Sequence, residues 1–313
     1  MKKWRSLTAQ YLHLRFAATK DAEAIIYERP GLWMKQDALD ALLSDMKKIA
    51  KKTVPKDELE YGVLGGDDAR LRTCIITLIR DRTTGEPIAF NALSWISLTL
   101  HGERLELLHL GLVMVDPDAR NKGFSWVLYG LTCFLFFLRG GLRPIWISNV
   151  TQVPAIFGIV GKTFSQIFPD STDSPPTYDH VALARQIMTE HRHVFGVGED
   201  AEFDEDRFII RNAYTGGSDA LKKTLATCQK HRDETVNRFC GTHLDYERGD
   251  DFLQIGQLSL ASARSYLFRQ VPRRSLRALA AALGLLLLQS LLLPAAHWLN
   301  STRTYANLRP RSF

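Results

Sequence analysis

Three long β-patterned segments follow one another between residues 71 and 115, joined by turns too short for anything but antiparallel neighbours. Leu71-Arg-Thr-Cys-Ile-Ile-Thr-Leu-Ile79 is rich in β-branched residues, and Asp81-Arg-Thr-Thr-Gly-Glu-Pro87 supplies turn chemistry. Ile88 to Leu100 is the second segment, His101-Gly102 turns the chain, and Glu103 to Val115 is the third. A parallel pair would need a crossover of about a dozen residues or more, so the spacing predicts an antiparallel meander.

The residues after the meander form a loop and an apolar helix. Asp116-Pro117 leads out of the third strand, Arg120-Asn-Lys-Gly-Phe-Ser125 forms a basic loop, and Trp126 to Phe137 is almost wholly apolar. The pattern predicts a helix over 122–138, stopped by Gly140-Gly141, and a further strand at 144–148. A loop at a helix start offers unpaired N–H groups and the positive end of the helix dipole, which together favour an anion. Arg120 and Lys122 add positive charge there.

Elsewhere the signal is coarser. Residues 1–60 are expected to be helical, with Leu39, Leu42, Leu43, Met46, Ile49 and Ala50 on one face of Gln36–Lys52. Asp170 to Pro176 resembles a linker. Helices are expected at 179–192 and 218–237, a strand near 207–214, and an amphipathic piece at 258–268. No role for 170–270 follows from these patterns.

Composition limits the partners. The fractions of hydrophobic (45%) and charged (24%) residues are those of a folded protein. Seven arginines and no acidic residue follow position 268. Taking those seven charges from the net +6 leaves about −1 for the first 268 residues. A nucleic-acid partner, which would want a basic face on the folded body, is therefore not expected. Cys74, Cys133, Cys228 and Cys240 show no disulfide or zinc spacing, which suits a reducing cytosol. Ala278 to Thr302 is uncharged and leucine-rich, and Leu279–Leu299 as a helix would span about 31 Å, close to a bilayer core. Arginines crowd its N-terminal side and Trp298 sits at its far end. Contact with membrane lipid through 278–302 is expected, with the main body cytoplasmic. Gln289, Ser290, Pro294 and His297 leave open a helix lying in one leaflet.

The succession of strand meander, Val-x-Pro-x-x-Arg-x-x-Gly-x-Ser, apolar helix and strand resembles the GNAT superfamily of acyl-CoA-dependent N-acyltransferases over about residues 71–164. The family signature Arg/Gln-x-x-Gly-x-Gly/Ala is matched by Arg120-Asn-Lys-Gly-Phe-Ser125, where the final serine departs from it. Asn149, Pro154-Ala155 and Phe164 loosely echo the strand-to-helix ending of the family. The resemblance implies a mixed, largely antiparallel α/β (α+β) sheet flanked by helices, to which the sequence adds a C-terminal hydrophobic helix. It divides the chain into an acyltransferase domain with N-terminal helices (1–170), an extension (171–275) and a membrane-associating tail (276–313).

The resemblance also assigns a site. The cosubstrate would be acetyl-CoA or another acyl-CoA. Its diphosphate would be held by Arg120, Asn121, Lys122, Gly123, Phe124 and Ser125, and its pantetheine arm would pair with Val113, Met114 and Val115. An N–H near Val113 would stabilise the developing oxyanion. An amine-bearing acceptor must lose a proton before attack, for which Glu106 is the first candidate and His109 the second. Three residues apart, they lie on opposite faces of a regular strand and share a site only if it is distorted; Gly111 offers the place. The aromatic hydroxyl that often serves as acid in the family is missing, with Ile159 or Val160 near its position. The alternative is a catalytically inactive acyl-CoA-binding or membrane scaffold protein. Other features point less firmly. His191-Arg-His193 lacks further ligand spacing and no metal is expected; Asn91, Ser94 and Trp95 line either an acceptor pocket or the core. Cys133 sits mid-helix without a base beside it.

Overall fold

The computed structural model describes residues 10–54, 62–120, 122–124, 126–172, 174–269 and 271, together with Ala280, Gly284, Leu291, Leu292, Ala295, Trp298 and Leu299. In chain order the elements are β1 (His13–Ala17), β2 (Ala22–Glu28), α1 (Gln36–Thr53), α2 (Asp68–Thr73), β3 (Cys74–Asp81), β4 (Pro87–Leu100), β5 (Glu103–Leu110) and β6 (Val113–Val115). A π turn (Val127–Leu131) then runs into α3 (Thr132–Arg139), followed by β7 (Ile145–Thr151), α4 (Pro154–Thr163) and β8 (Ser165–Phe168). The chain continues with α5 (Tyr178–Gln186), β9 (Glu202–Asp204), β10 (Ile209–Arg211), α6 (Glu234–His243), β11 (Asp251–Leu258) and α7 (Leu260–Arg269).

All the strands join one mixed sheet in the order β1-β2-β3-β4-β5-β7-β11-β10-β9, with β6 extending β5 along β4 and β8 paired to β11. Every pairing is antiparallel except β5 with β7. The meander of 74–115 is therefore present, as its short turns require. Its first strand starts at Cys74, because Asp67 accepts from the Ala69 N–H (2.9 Å) and caps α2 over residues expected to be extended.

Two other expectations need correction. Residues 13–28 form the β1–β2 hairpin: Ala22, Ala24 and Ile26 alternate into the core, a period of two that suits a strand. Over 218–237 the regular helix begins only at Glu234, where Asp233 accepts from Thr235 N–H (3.2 Å) and sets its start. The segment from 171 onward, to which the sequence assigned no role, contributes to the same sheet. It returns as β11, which pairs with β7 from Thr151 to Ile145 and lies inside the sheet. The apolar and amide side chains of β11 are nearly all buried, so it could not stand apart.

The helices cover both faces. On one, Val127, Leu131, Phe134 and Phe137 pack with Ile75, Leu93 and Leu108. On the other, α1 lays Leu39, Leu42, Met46 and Ile49 against Ile76, Phe90 and Met114, as its periodicity predicts. Truncating a side chain as buried as Phe137 (0% exposed) typically costs ~3–5 kcal/mol, so these layers fix the sheet firmly. The hydrophobic tail lies mostly outside the described residues. Its described positions are helical, and Leu291, Leu292, Trp298 and Leu299 are exposed. Among the described residues no helix is long and apolar enough to cross a membrane.

Candidate functional site

The third strand of the meander breaks at Gly111. Before it, Ser94 faces His109; beyond it, Asn91 faces Val113, so the register slips by one residue. The Ala92 N–H donates to the Leu112 carbonyl (2.8 Å) across this bulge. A Cβ on Gly111 would lie 2.3 Å from the Ala92 oxygen, so only glycine lets the two backbones approach.

The bulge coincides with a parting of strands. β7 runs parallel to β5 only through Leu108–Ile147, His109–Ser148 and Leu110–Asn149, while its other edge pairs with β11 from Ile145 to Thr151. Leu112 and Asp116 direct their backbone groups to β4, the latter through Asp116 N–H to Ile88 oxygen at 2.9 Å. Alternation along an antiparallel strand turns the N–H and C=O of Val113 and Val115 the other way, into the opening that β7 has left. Met114 buries its side chain against α1. Val113 and Val115 thus turn their backbone groups toward a strand position that no described strand fills.

The basic loop stands at the end of β6. Arg120, Lys122 and Gly123 are exposed, whereas Phe124 (5% exposed) is sunk in the core. Asn121 and Ser125 lie outside the described residues. The N–H groups of Lys122, Gly123 and Phe124 find no backbone acceptor among the described residues. Gly123 has φ +79°, while a Cβ there would meet nothing within 4 Å. The backbone conformation, not crowding, demands glycine. The Phe124 carbonyl accepts from Val127 N–H and Leu128 N–H (both 3.0 Å), tying the loop to the first turn of the helix. At the loop's entrance Lys52 donates to the buried Asp116 (2.7 Å), holding its carboxyl below the usual range. Lys52, in the last turn of α1, therefore has a specific partner.

Glu106 and His109 are not brought together. Their strand is regular between them, the bulge comes after both, and they occupy opposite faces. Both carboxylate oxygens of Glu106 accept from Arg29 Nη2 (3.0 and 2.8 Å), and the side chain is one-third exposed. Arg29 itself adopts the left-handed conformation, φ +48°. His109 is 2% exposed, shares a hydrogen bond with the Ser148 hydroxyl (Nδ1 to Oγ, 3.0 Å) and lies against the Phe195 ring at 5.1 Å. Burial, helped by the Arg70 charge, pushes its pKa down to about 3, too weak for an efficient base at neutral pH.

On the His109 face lies a cavity of about 870 Å³ between the α2 region and the segment after α5, lined in part by Asp67, Arg70, Glu190, Arg192, His193 and Glu199. Arg70 donates to the carbonyls of His193 and Val194, and Arg192 to those of Met188 and Ala201, so both guanidiniums serve the cavity wall. Gly196 and Val197 also line it. Their neighbour Phe195 packs on His109, whose ring comes within 3.7 Å of where a Gly111 side chain would begin. This wall comes from residues to which the sequence assigned no function. Only the histidine pair hinted at it, and His191 and His193, with rings 6.4 Å apart, belong to no metal-binding group among the described residues.

Asn91, Trp95 and Cys133 lie in or against the packed core. Asn91 is fully buried and donates to the Leu128 carbonyl, and Trp95 meets Phe136 edge-on at 5.3 Å. Cys133 is buried, its thiol pushed up to about 12.

No profile of a known protein family matches the chain, and no curated protein matches it by sequence. Among solved structures, similarity is found to an acetyltransferase from Vibrio fischeri, with 15% identity over 36% of this chain and 89% of that one, and a TM-score of 0.26. A second is a mutant of the AtaT toxin bound to the C-terminus of the antitoxin AtaR and acetyl-CoA, with 10% identity over 45% of this chain and 76% of that one, and a TM-score of 0.22.

Proposed function

We propose that this protein is an acyl-CoA-dependent N-acyltransferase of GNAT type, most simply an acetyltransferase, whose C-terminal segment associates with a membrane. One observation carries the reading: the bulge at Gly111 and the parting of β6 from β7 leave the backbone of Val113 and Val115 without a strand partner among the described residues, beside a glycine-turned basic loop. The opening fits an extended amide-bearing arm, and the loop fits a diphosphate at the arm's end.

A coenzyme A thioester would supply the activated acyl carbon. The chain's own residues do the rest. The Val113 and Val115 backbone would grip the arm, and the N–H beside the bulge would stabilise negative charge on the carbonyl oxygen. Lys122, Arg120 and the loop amides would hold the phosphates. An acceptor amine would approach from the cavity between the α2 region and the segment after α5, where the carboxylates of Asp67, Glu190 and Glu199 attract its cation and water carries away the proton. Glu106 then serves as the partner of Arg29. The exposed, helical Leu291, Leu292, Trp298 and Leu299 support lipid contact by the tail.

The position of Glu106 and His109 also favours a second reading, a scaffold that binds acyl-CoA without turnover. Calorimetric titration with acetyl-CoA, and thiol release from it with a panel of amines, separate the two. The acyltransferase reading expects binding and amine-dependent release, both lost in Gly123→Val, whose β-branched residue disfavours φ +79°. Binding without release supports the scaffold. Unchanged affinity in Gly123→Val rejects the loop as the phosphate site.

A further inference from the structure

Tyr266, on the helix after the last strand, reaches back to the start of the helix that carries the basic loop. Its hydroxyl donates to the Trp126 carbonyl (2.7 Å) across 140 residues of sequence, and its ring is 3% exposed. The ring lies where Gly130 has no side chain: a Cβ there would fall 2.1 Å from the Tyr266 ring. Phe134 closes the other side at 5.8 Å.

The turn that Tyr266 touches is unusual. Val127–Leu131 is a π turn, which shifts carbonyl partners one residue further along than in an α-helix and widens the turn. The Trp126 carbonyl stands at the start of this turn and accepts the Tyr266 hydroxyl from outside the helix. Trp126 C=O and Val127 N–H belong to one peptide plane. Tyr266 holds that plane by its oxygen, and the Phe124 carbonyl holds it by its hydrogen (3.0 Å). Phe124 in turn follows Gly123 in the basic loop.

We propose that Tyr266 is a positioning residue for the phosphate site: it fixes the Trp126–Val127 peptide plane and thereby the direction in which the loop amides point. The inference rests on the acyl-CoA reading and adds to it a distant residue on α7 that sets affinity for the charged end of the donor. Burial of the ring explains the aromatic body of Tyr266 as packing. The buried hydroxyl requires a partner, and the one it takes is a backbone carbonyl in the first turn of the loop's helix.

Two variants of the full chain separate ring from hydroxyl. Tyr266→Phe keeps the ring and removes the hydrogen bond; Gly130→Ala keeps the hydroxyl and displaces the ring. Binding is measured by calorimetry with coenzyme A and by saturation-transfer NMR with pantetheine, which lacks the diphosphate, and melting temperature is recorded alongside. Tyr266→Phe is expected to bind coenzyme A about tenfold more weakly, the effect of about one lost hydrogen bond, with pantetheine binding unchanged. Gly130→Ala is expected to weaken coenzyme A binding at least as much. Equal affinity of Tyr266→Phe and wild type for coenzyme A overturns the proposal, as does an equal loss for coenzyme A and pantetheine, which marks a general structural role. Failure of the wild type to bind coenzyme A is a different result: it removes the acyl-CoA reading and this inference with it.

Discussion

On one edge of β7, pairing with β5 ends at Asn149 and the neighbouring β6 turns away; on the other edge, pairing with β11 continues from Ile145 to Thr151. Both seams contain polar groups that a buried sheet must satisfy. In the closed seam side chains do this internally. Asn149 donates to Gln254 Oε1 (3.1 Å), Gln254 donates to the carbonyls of Phe157 (3.3 Å) and Pro169 (3.1 Å), and Tyr214 donates to Asp251 (3.0 Å). In the open seam the groups turned outward belong to the backbone of Val113 and Val115, and the bulge at Gly111 keeps them there. Polar atoms filled from within stabilise the fold, whereas polar atoms held open by a backbone irregularity are left to solvent or, on the reading proposed above, to a bound arm.

The contrast can be broken most severely at Gly111. Gly111→Val should abolish acetyl-CoA binding and destabilise the fold by ~2–4 kcal/mol, because its Cβ would enter the Ala92 oxygen and the bulge would have to rearrange. Urea unfolding and calorimetry check this; wild-type binding in a folded Gly111→Val protein would show that the bulge does not hold the seam open. A change in the closed seam should do the opposite. Gln254→Leu leaves the carbonyls of Phe157 and Pro169 without their donor and should cost ~1–3 kcal/mol in urea unfolding. Affinity for acetyl-CoA should stay within about threefold of wild type, a shift of under 1 kcal/mol.

A third effect concerns pH. Burial raises the Asp251 carboxyl to about 7 from its ordinary 3.8, with Asp250 adding to the rise and the Tyr214 hydroxyl opposing it. Between those values the native state holds a proton that the unfolded chain has released. Its contribution to stability is therefore complete below about pH 4 and declines as pH rises through 7, by at most ~1.4 kcal/mol per unit. Asp251→Asn should flatten that decline. Parallel curves of melting temperature against pH for variant and wild type, from 4 to 8, would remove Asp251 as its source.

Much of this was legible in order along the chain. Turn lengths between β3, β4 and β5 required antiparallel neighbours, the 3.6-residue period of α1 marked its buried face, and Gly111 was visible as a possible break. β11 was not legible, because Asp251-Phe-Leu-Gln-Ile-Gly-Gln-Leu258 puts amides where a buried strand usually has aliphatics. Those amides make sense only beside Asn149 and the ends of α4 and β8. Glu106 and His109 could be placed on opposite faces, but their fates could not: Arg29 reaches Glu106 from 77 residues away, and Phe195 meets His109 from the segment after α5.

The sequence by itself determined the local devices: the meander, the glycine-bearing basic loop, the apolar helix behind it and the uncharged C-terminal run. Each depends on neighbours a few residues apart, through turn geometry, backbone conformation or hydrophobic period. Tertiary structure alone decided that β11 closes one seam, that the other stays open at Val113–Val115, that a cavity wall is built from 62–70 and 189–199, and that Tyr266 props the start of the loop's helix. These depend on contacts between residues far apart in the chain, whose register and burial arise only when the layers pack together.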